Sequence, residues 1–286
     1  MNPLYWSVRR ELWENRSIYI VPLAVAALAL FGTLINTMLK LPRTIQTLSA
    51  LEPARQRVVV AIPYSMIASV VMLTGFVVGI FYCLDALNGE RRDRSLLFWK
   101  SLPVSDRTTV LAKALVPLAV IPVFGYVIIL IAQLILFLMS NVVLAGRGVN
   151  PAPLWLKLPF VQMSLVMLYG LTVHVLWFSP IYGWLLMVSA WARRATFLWA
   201  FVPFFAIVVT ERMAFGSSRF GHFLRYRVLG AMSEAFEVNA TRGPITRLTQ
   251  LTPLNFLTSP GLWLGLIFAA AFIAAAVRLR RNREPN

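Results

Sequence analysis

The chain is short of charge, of acid above all, and of the residue types that usually build a catalytic centre. Asp, Glu, Lys and Arg make up 13% of its 286 residues, against about 25% in a typical soluble domain. Only 11 residues are acidic, which leaves a net charge of +16. The single cysteine, Cys83, excludes an intrachain disulfide and has no clustered partner for a metal. Set in an apolar run, it reads as a small buried hydrophobe. Two histidines, His174 and His222, do not form a His-Glu-x-x-His pair, and there is no Gly-x-Ser-x-Gly elbow for a hydrolase. A phosphate-cradling Gly-x-x-x-x-Gly-Lys-Ser/Thr loop is also missing. The sequence thus offers no catalytic residue and no metal site, and the chain is read as binding no cofactor of its own.

What it has instead is apolar length, with 59% hydrophobic residues. At a rise of about 1.5 Å per residue, roughly 20 apolar residues cross a bilayer core of about 30 Å. Six stretches qualify, at about 17–39, 58–87, 114–144, 162–192, 196–215 and 260–279. The expected fold class is all-α: one transmembrane domain over residues 1–286, polytopic, with six transmembrane helices. In a soluble protein the positive charge would suggest nucleic acid. Here Arg and Lys flank apolar runs, where they meet anionic headgroups, so the expected partner is the lipid membrane and no nucleic acid. Arg9-Arg10 resembles a twin-arginine signal, but Glu11 and Glu14 interrupt it and the run that follows exceeds a signal-peptide core, so an uncleaved first span is expected. The second run is longer than a bilayer needs and must tilt or continue beyond it. Only Ala-Arg-Arg-Ala-Thr separates the fourth and fifth runs, which predicts a tight hairpin; Pro180 should kink the fourth.

With six spans both termini share a side. That side would hold fifteen of the 27 basic residues, densest next to span ends, and the other side twelve, spread over longer sequence. The positive-inside effect therefore puts both termini in the cytoplasm. Pro3–Asn15, with Leu4, Tyr5, Val8 and Leu12 at helical spacing, predicts an N-terminal amphipathic interfacial helix. On the opposite side, within the segment 216–258 whose role stays open, Phe220, Phe223, Leu224, Met232 and Phe236 form a similar stripe.

The most charged passage, Gly-Glu-Arg-Arg-Asp-Arg-Ser-Leu-Leu-Phe-Trp-Lys-Ser-Leu-Pro, lies between the second and third runs. It is too short and too interrupted to span. A short helix stopped by Pro103 would present Phe98, Trp99 and Leu102 beside Arg91, Arg92 and Arg94. Such aromatic knobs ringed by arginine suit a protein–protein contact or, equally, an aromatic belt at the headgroups. Among ionisable and polar groups in the runs, Asp85 near Arg91 and Arg92 reads as a helix-end pair or a pathway group, and Gln133 and His174 as interhelical hydrogen bonds or pathway groups. Glu211 beside Arg212 reads as a surface ion pair.

This passage, from Leu87 to Leu115, resembles the cytoplasmic loop of permease subunits of bacterial type-2 ABC exporters, where a Gly-Glu-Arg-Arg-Asp run precedes Phe-Trp-Lys-Ser-Leu-Pro and a Ser-Asp. The closing Leu-Thr-Ser-Pro-Gly-Leu-Trp stretch is similar to that family's last span. The resemblance covers these two passages and the six-span layout, not the middle of the chain. It implies a permease subunit in the bacterial inner membrane, dimeric with a second permease, whose loop carries a coupling helix. Glu90 to Leu102 would dock on a separate ABC ATP-binding subunit, which would hold ATP-Mg and carry out hydrolysis. Phe98, Trp99 and Leu102 would be knobs in that subunit's cleft, Arg91, Arg92 and Arg94 would pair with its acidic residues, and Pro3–Asn15 would be the connecting helix. The alternatives are an ATP-independent secondary transporter or channel, which predicts broken helices or inverted repeats that do not stand out, and a membrane enzyme or assembly factor, which lacks a polar cluster. The transported substrate is not legible.

Overall fold

The computed structural model describes residues 3–92, 105–237 and 244–282. These fold into α1 (Pro3–Glu14), α2 (Ser17–Thr47), α3 (Pro53–Asp85), α4 (Asn88–Arg92), α5 (Asp106–Leu115), α6 (Ile121–Gly146), α7 (Ala152–Lys157), α8 (Phe160–Trp191), α9 (Thr196–Phe215), α10 (Arg219–Ala235), α11 (Pro253–Thr258) and α12 (Pro260–Asn282). There is no strand among the described residues, only an isolated bridge between Phe236 and Leu251. Six helical stretches are long and apolar enough to cross a membrane: α2, α3 with α4, α5 with α6, α8, α9 and α12. The protein is an all-α, multi-pass membrane protein.

Several helices outrun the expected spans. α2 passes Leu39 and Lys40 to reach Thr47, although Pro42 removes one backbone donor. The hydroxyls of Thr44 and Thr47 bond back to the carbonyls of Lys40 and Arg43 at 3.0 and 3.1 Å, which keeps this polar extension helical. The third span begins eight residues before Ala114, at Asp106, where the Ser105 hydroxyl caps the Thr108 N–H at 3.2 Å. A π turn over Val116–Val120 joins α5 to α6, and Pro117 lies within it. Where α6 ends, Gly148 takes φ +66 and Val149 N–H reaches back to the Leu144 carbonyl at 3.0 Å, a stop that only glycine makes without strain.

Pro180 lies inside a continuous α8, and the Ser179 hydroxyl donates to the Leu176 carbonyl that the proline leaves without its helical donor, at 2.9 Å. The predicted hairpin follows, with four residues between Trp191 and Thr196 and Ala195 in the left-handed region. At the end of α9, Glu211 makes no surface ion pair with Arg212. Its carboxylate accepts Ser217 Oγ and the N–H groups of Arg219 and Phe220 at 2.7–2.9 Å and so caps α10.

α12 packs along α8, with Gly183 backed against the main chain of Ala269 so closely that a Cβ would lie 3.2 Å from its carbonyl oxygen. Small residues at this seam let the two backbones approach. α2, α3 and α6 form a second packed group. α9 is peripheral: only 6% of its apolar window is buried by its own chain. Cys83 is buried and free.

Candidate functional site

Contacts between distant parts of the chain bring α1, the end of α3, α4, the start of α5, the end of α8 and the end of α12 to one face of the bundle, here called the base. α1 is helical as expected, and the structure shows which side it buries. Ser7 and Glu11 turn into the protein, whereas Tyr5, Trp6 and Trp13 are exposed. Arg9 lies over the rings of Trp6 and Trp13, 5.2 and 4.7 Å from their centroids. The aromatic, cationic face suits a headgroup layer, where amphipathic rings settle, and the polar face is reserved for the bundle.

What it meets there is a buried set of charges. Glu11 is 1% exposed; its carboxylate accepts Lys113 Nζ at 2.8 Å, Tyr82 Oη at 2.8 Å and Arg10 Nη2 at 3.0 Å. Lys113, 2% exposed, also reaches Glu90 at 3.2 Å. Glu90 takes Arg280 Nη1 at 2.5 Å and Arg10 at 3.4 Å, and Arg280 Nε donates to Asp106 at 3.0 Å. Three carboxylates thus face three cations from α1, α4, α5 and α12. Desolvation alone would push the Glu11 carboxyl up, and it is the largest single influence. The charge of Lys113, hydrogen bonds from Lys113 and Tyr82, and the charge of Arg10 outweigh it and hold the carboxyl below its ordinary value. Glu14, on the same helix, is raised, mainly by burial.

The residues singled out in the sequence divide across this base. Glu90 is buried within the charge set. Arg91 turns onto its own chain: its guanidinium donates to the carbonyls of Ser189 and Ala192 (the latter at 3.1 Å), capping the last turn of α8. In return the Ser189 hydroxyl accepts the N–H groups of Leu87 and Asn88, both at 3.0 Å, where α3 gives way to α4. Arg92 is exposed and pairs with Asp85 at 3.6 Å, the helix-end contact expected of Asp85. Arg94, Phe98, Trp99 and Leu102 lie outside the described residues, in the stretch 93–104 that links α4 to α5. Glu90 and Asp106, close to either end of that stretch, share Arg280.

The other two polar candidates sit in the membrane interior. Gln133 on α6 donates to the Tyr64 carbonyl on α3 at 3.1 Å, an interhelical bond as expected. His174 does not: its Nε2 bonds Tyr182 Oη at 3.1 Å, two turns along its own helix, and its interhelical contact is an edge-on packing against Phe76 at 5.7 Å. Pro180, lying between the two, marks where this helix departs from regular hydrogen bonding. Both Gln133 and His174 line a cavity of about 930 Å³ between α3, α6, α8 and α10, on the side away from the base. Among the described residues no group of three or more His, Cys, Asp or Glu is placed to hold a metal.

No family model, curated protein or solved structure matches this chain. Its function is therefore argued from its own residues.

Glu11, Lys113, Tyr82, Asp106 and Arg280 were not picked out from the sequence. A lysine within the turn before an apolar run, Leu-Ala-Lys-Ala-Leu, is itself a signal, because a cation there needs a partner. The expected third span began at Ala114, one residue too late to include it.

Proposed function

We propose that this chain is the membrane-spanning permease subunit of an ATP-driven ABC transporter of the exporter type. It forms its pathway with a second permease and is driven by a separate ABC ATP-binding subunit at the cytoplasmic face, in a bacterial inner membrane. Two things support the reading. The loop passage resembles that family's over a long and specific run of residues. The observation that carries most weight is the buried charge set. Segment 93–104 enters beside Glu90 and leaves beside Asp106, and both carboxylates bond Arg280 at the end of the last span.

Mechanically, a push on this segment is carried into the bundle from both of its ends. Glu90 passes it to α12 through Arg280 and to α5 through Lys113; Glu11 passes it to α1; Arg91 passes it to the end of α8. A rigid-body movement of several spans is the expected response. ATP-Mg would be held by the partner, and this chain would supply the contact and the path. Phe98, Trp99 and Leu102, with Arg94, would make that contact.

Co-expression with an ABC ATP-binding subunit encoded beside this gene provides the test. The two should co-purify, Trp99→Ala and Phe98→Asp should abolish the association, and Glu90→Gln should leave association intact while lowering ATP-dependent transport. Intact assembly and transport in both loop variants would sink the reading. Transport by this chain in proteoliposomes with no ATPase present would put a secondary transporter or channel in its place.

A further inference from the structure

We infer that the cavity beside Gln133 and His174 binds an amphipathic molecule, one with an apolar body and a non-anionic head that both donates and accepts hydrogen bonds, such as a hydroxyl or an amide. The inference goes beyond transport, since binding is expected from this chain with no partner subunit. Size and lining carry it. A cavity of about 930 Å³ falls at the upper end of organic-ligand sites, about 300–1,000 Å³. The space is partly open to the surroundings and not an enclosed void, so a ligand has a way in.

Its wall selects for body and head separately. Met72, Met163, Met167 and Met232 line it, and methionine is unbranched and adapts to irregular apolar shapes. Among the described residues no lysine or arginine lines it, while Glu237 does, so an anionic head would be desolvated there without a described counter-charge. Gln133 is 3% exposed, and one of its two amide N–H groups serves the Tyr64 carbonyl. Its oxygen and second N–H can accept from and donate to a head that does both, such as a hydroxyl or an amide. Ser65 likewise donates to Ala61 and keeps its lone pairs for a ligand. The outer wall is built by Val228, Met232, Phe236, Ile245 and Gln250, held together by the Phe236–Leu251 bridge and by Glu237 N–H on the Gln250 carbonyl at 2.8 Å. The deep end stops at His174 and Phe178, whose rings pack at 4.8 Å, with Phe76 against Phe178 at 5.0 Å. The cavity is therefore fed from the side opposite the base or from the bilayer.

The test uses the purified full chain in phosphatidylcholine nanodiscs without any ATPase. The probes are diazirine-bearing monoacylglycerol and the corresponding fatty acid, with labelled residues mapped by mass spectrometry. The neutral probe should label the four cavity methionines and their neighbours at least fivefold more than the anionic probe. Ser69→Trp, which fills the cavity, should reduce that labelling by tenfold or more. Gln133→Leu, which removes the acceptor, should weaken it roughly three- to tenfold. Supplying a long-chain probe within the bilayer and a short-chain probe from water separates a lipid source from a soluble one. Labelling confined to the lipid-facing residues of α2 and α9, equal labelling by the anionic probe, or labelling unchanged in both variants overturns the inference. None of these outcomes bears on coupling to an ATPase, which the association and transport measurements test separately.

Discussion

At the base, Glu11, Glu90 and Asp106 face Arg10, Lys113 and Arg280 at 2.5–3.4 Å. At the opposite end Arg227 enters between α8 and α12 with different partners. Its guanidinium donates to the carbonyls of Trp177 and Gly261 and lies over the Trp177 ring at 4.7 Å, while Trp177 Nε1 donates back to the Arg227 carbonyl at 2.8 Å. Burial lowers Arg227 to about 10, still charged at neutral pH. The two ends differ in what they make cooperative. The outer cation staples one surface helix onto two spans, and carbonyl dipoles suffice for that. The base needs charges from four elements at once, so each helix completes the environment of the others.

The largest effect should come from breaking the base. Glu11→Ala leaves Lys113 buried without its closest carboxylate, and removal of one member of a buried pair costs about 3–5 kcal/mol. Thermal unfolding of the detergent-purified chain measures it. Glu11→Leu combined with Lys113→Met should recover most of the loss, since two well-packed apolar residues need no counter-charge. If Glu11→Ala cost less than about 1 kcal/mol, the base would be a set of independent surface-like pairs and could not transmit force as a unit.

Next comes the outer staple. Arg227→Leu removes two hydrogen bonds from a charged donor, about 2–3 kcal/mol together, and should expose α10 to protease before the spans unfold. Arg227→Lys should fall between the two, because an ammonium lacks the planar fork that reaches both carbonyls. Gly265 leaves the room for that fork: a Cβ there would meet the guanidinium. Loss of the base on Arg227→Leu would erase the distinction between the two ends.

The six spans were legible because apolar length is a property of each segment taken alone. The charge set was not, because it exists only between segments: Glu11 and Lys113 are 102 residues apart and Glu90 and Arg280 are 190 apart. The amphipathic character of α1 was legible, yet the side it buries was not. A helical wheel ranks residues by polarity and does not say whether the bundle or the headgroup layer takes the apolar side. Here the neighbour with most appetite for aromatic rings is the headgroup layer, and the protein offers Lys113 to Glu11. His174 shows the same limit, since its partner Tyr182 lies eight residues along the same helix, beyond the i+3 and i+4 neighbours that a helical wheel pairs.

A smaller effect concerns acid. The Glu11 carboxyl is depressed from 4.5, so its stabilisation is complete above that value and is lost as pH falls through the lower folded one. Glu14 is raised from 4.5, so its ionisation weakens docking as pH climbs through that raised value. Fluorescence of Trp6 and Trp13 on α1 reports both. The signal should hold below pH 4.5 in the native chain, Glu11→Gln should remove the acid limb, and Glu14→Gln should flatten the shallow slope above it. An acid transition centred at or above 4.5 would mean that Lys113, Tyr82 and Arg10 do no more than offset the desolvation of Glu11.

The smallest effect tests the turn that hangs α9 from the base. Ala195 holds φ 52 and ψ 49, a conformation that costs a non-glycine residue about 1–2 kcal/mol. It is kept because the Ala195 carbonyl takes the N–H groups of Leu198 and Trp199 at 2.9 and 3.3 Å, and because Trp191 and Trp199 pack edge-to-face across the hairpin at 4.8 Å. Ala195→Gly relieves the strain but frees the unfolded chain, so a net gain of about 0.5–1 kcal/mol is expected. In Trp199→Ala the ring pair that closes the turn is gone, and the same glycine should gain less. A glycine that destabilises the native chain would place Ala195 outside the left-handed region, and α9 would then leave the base by another path.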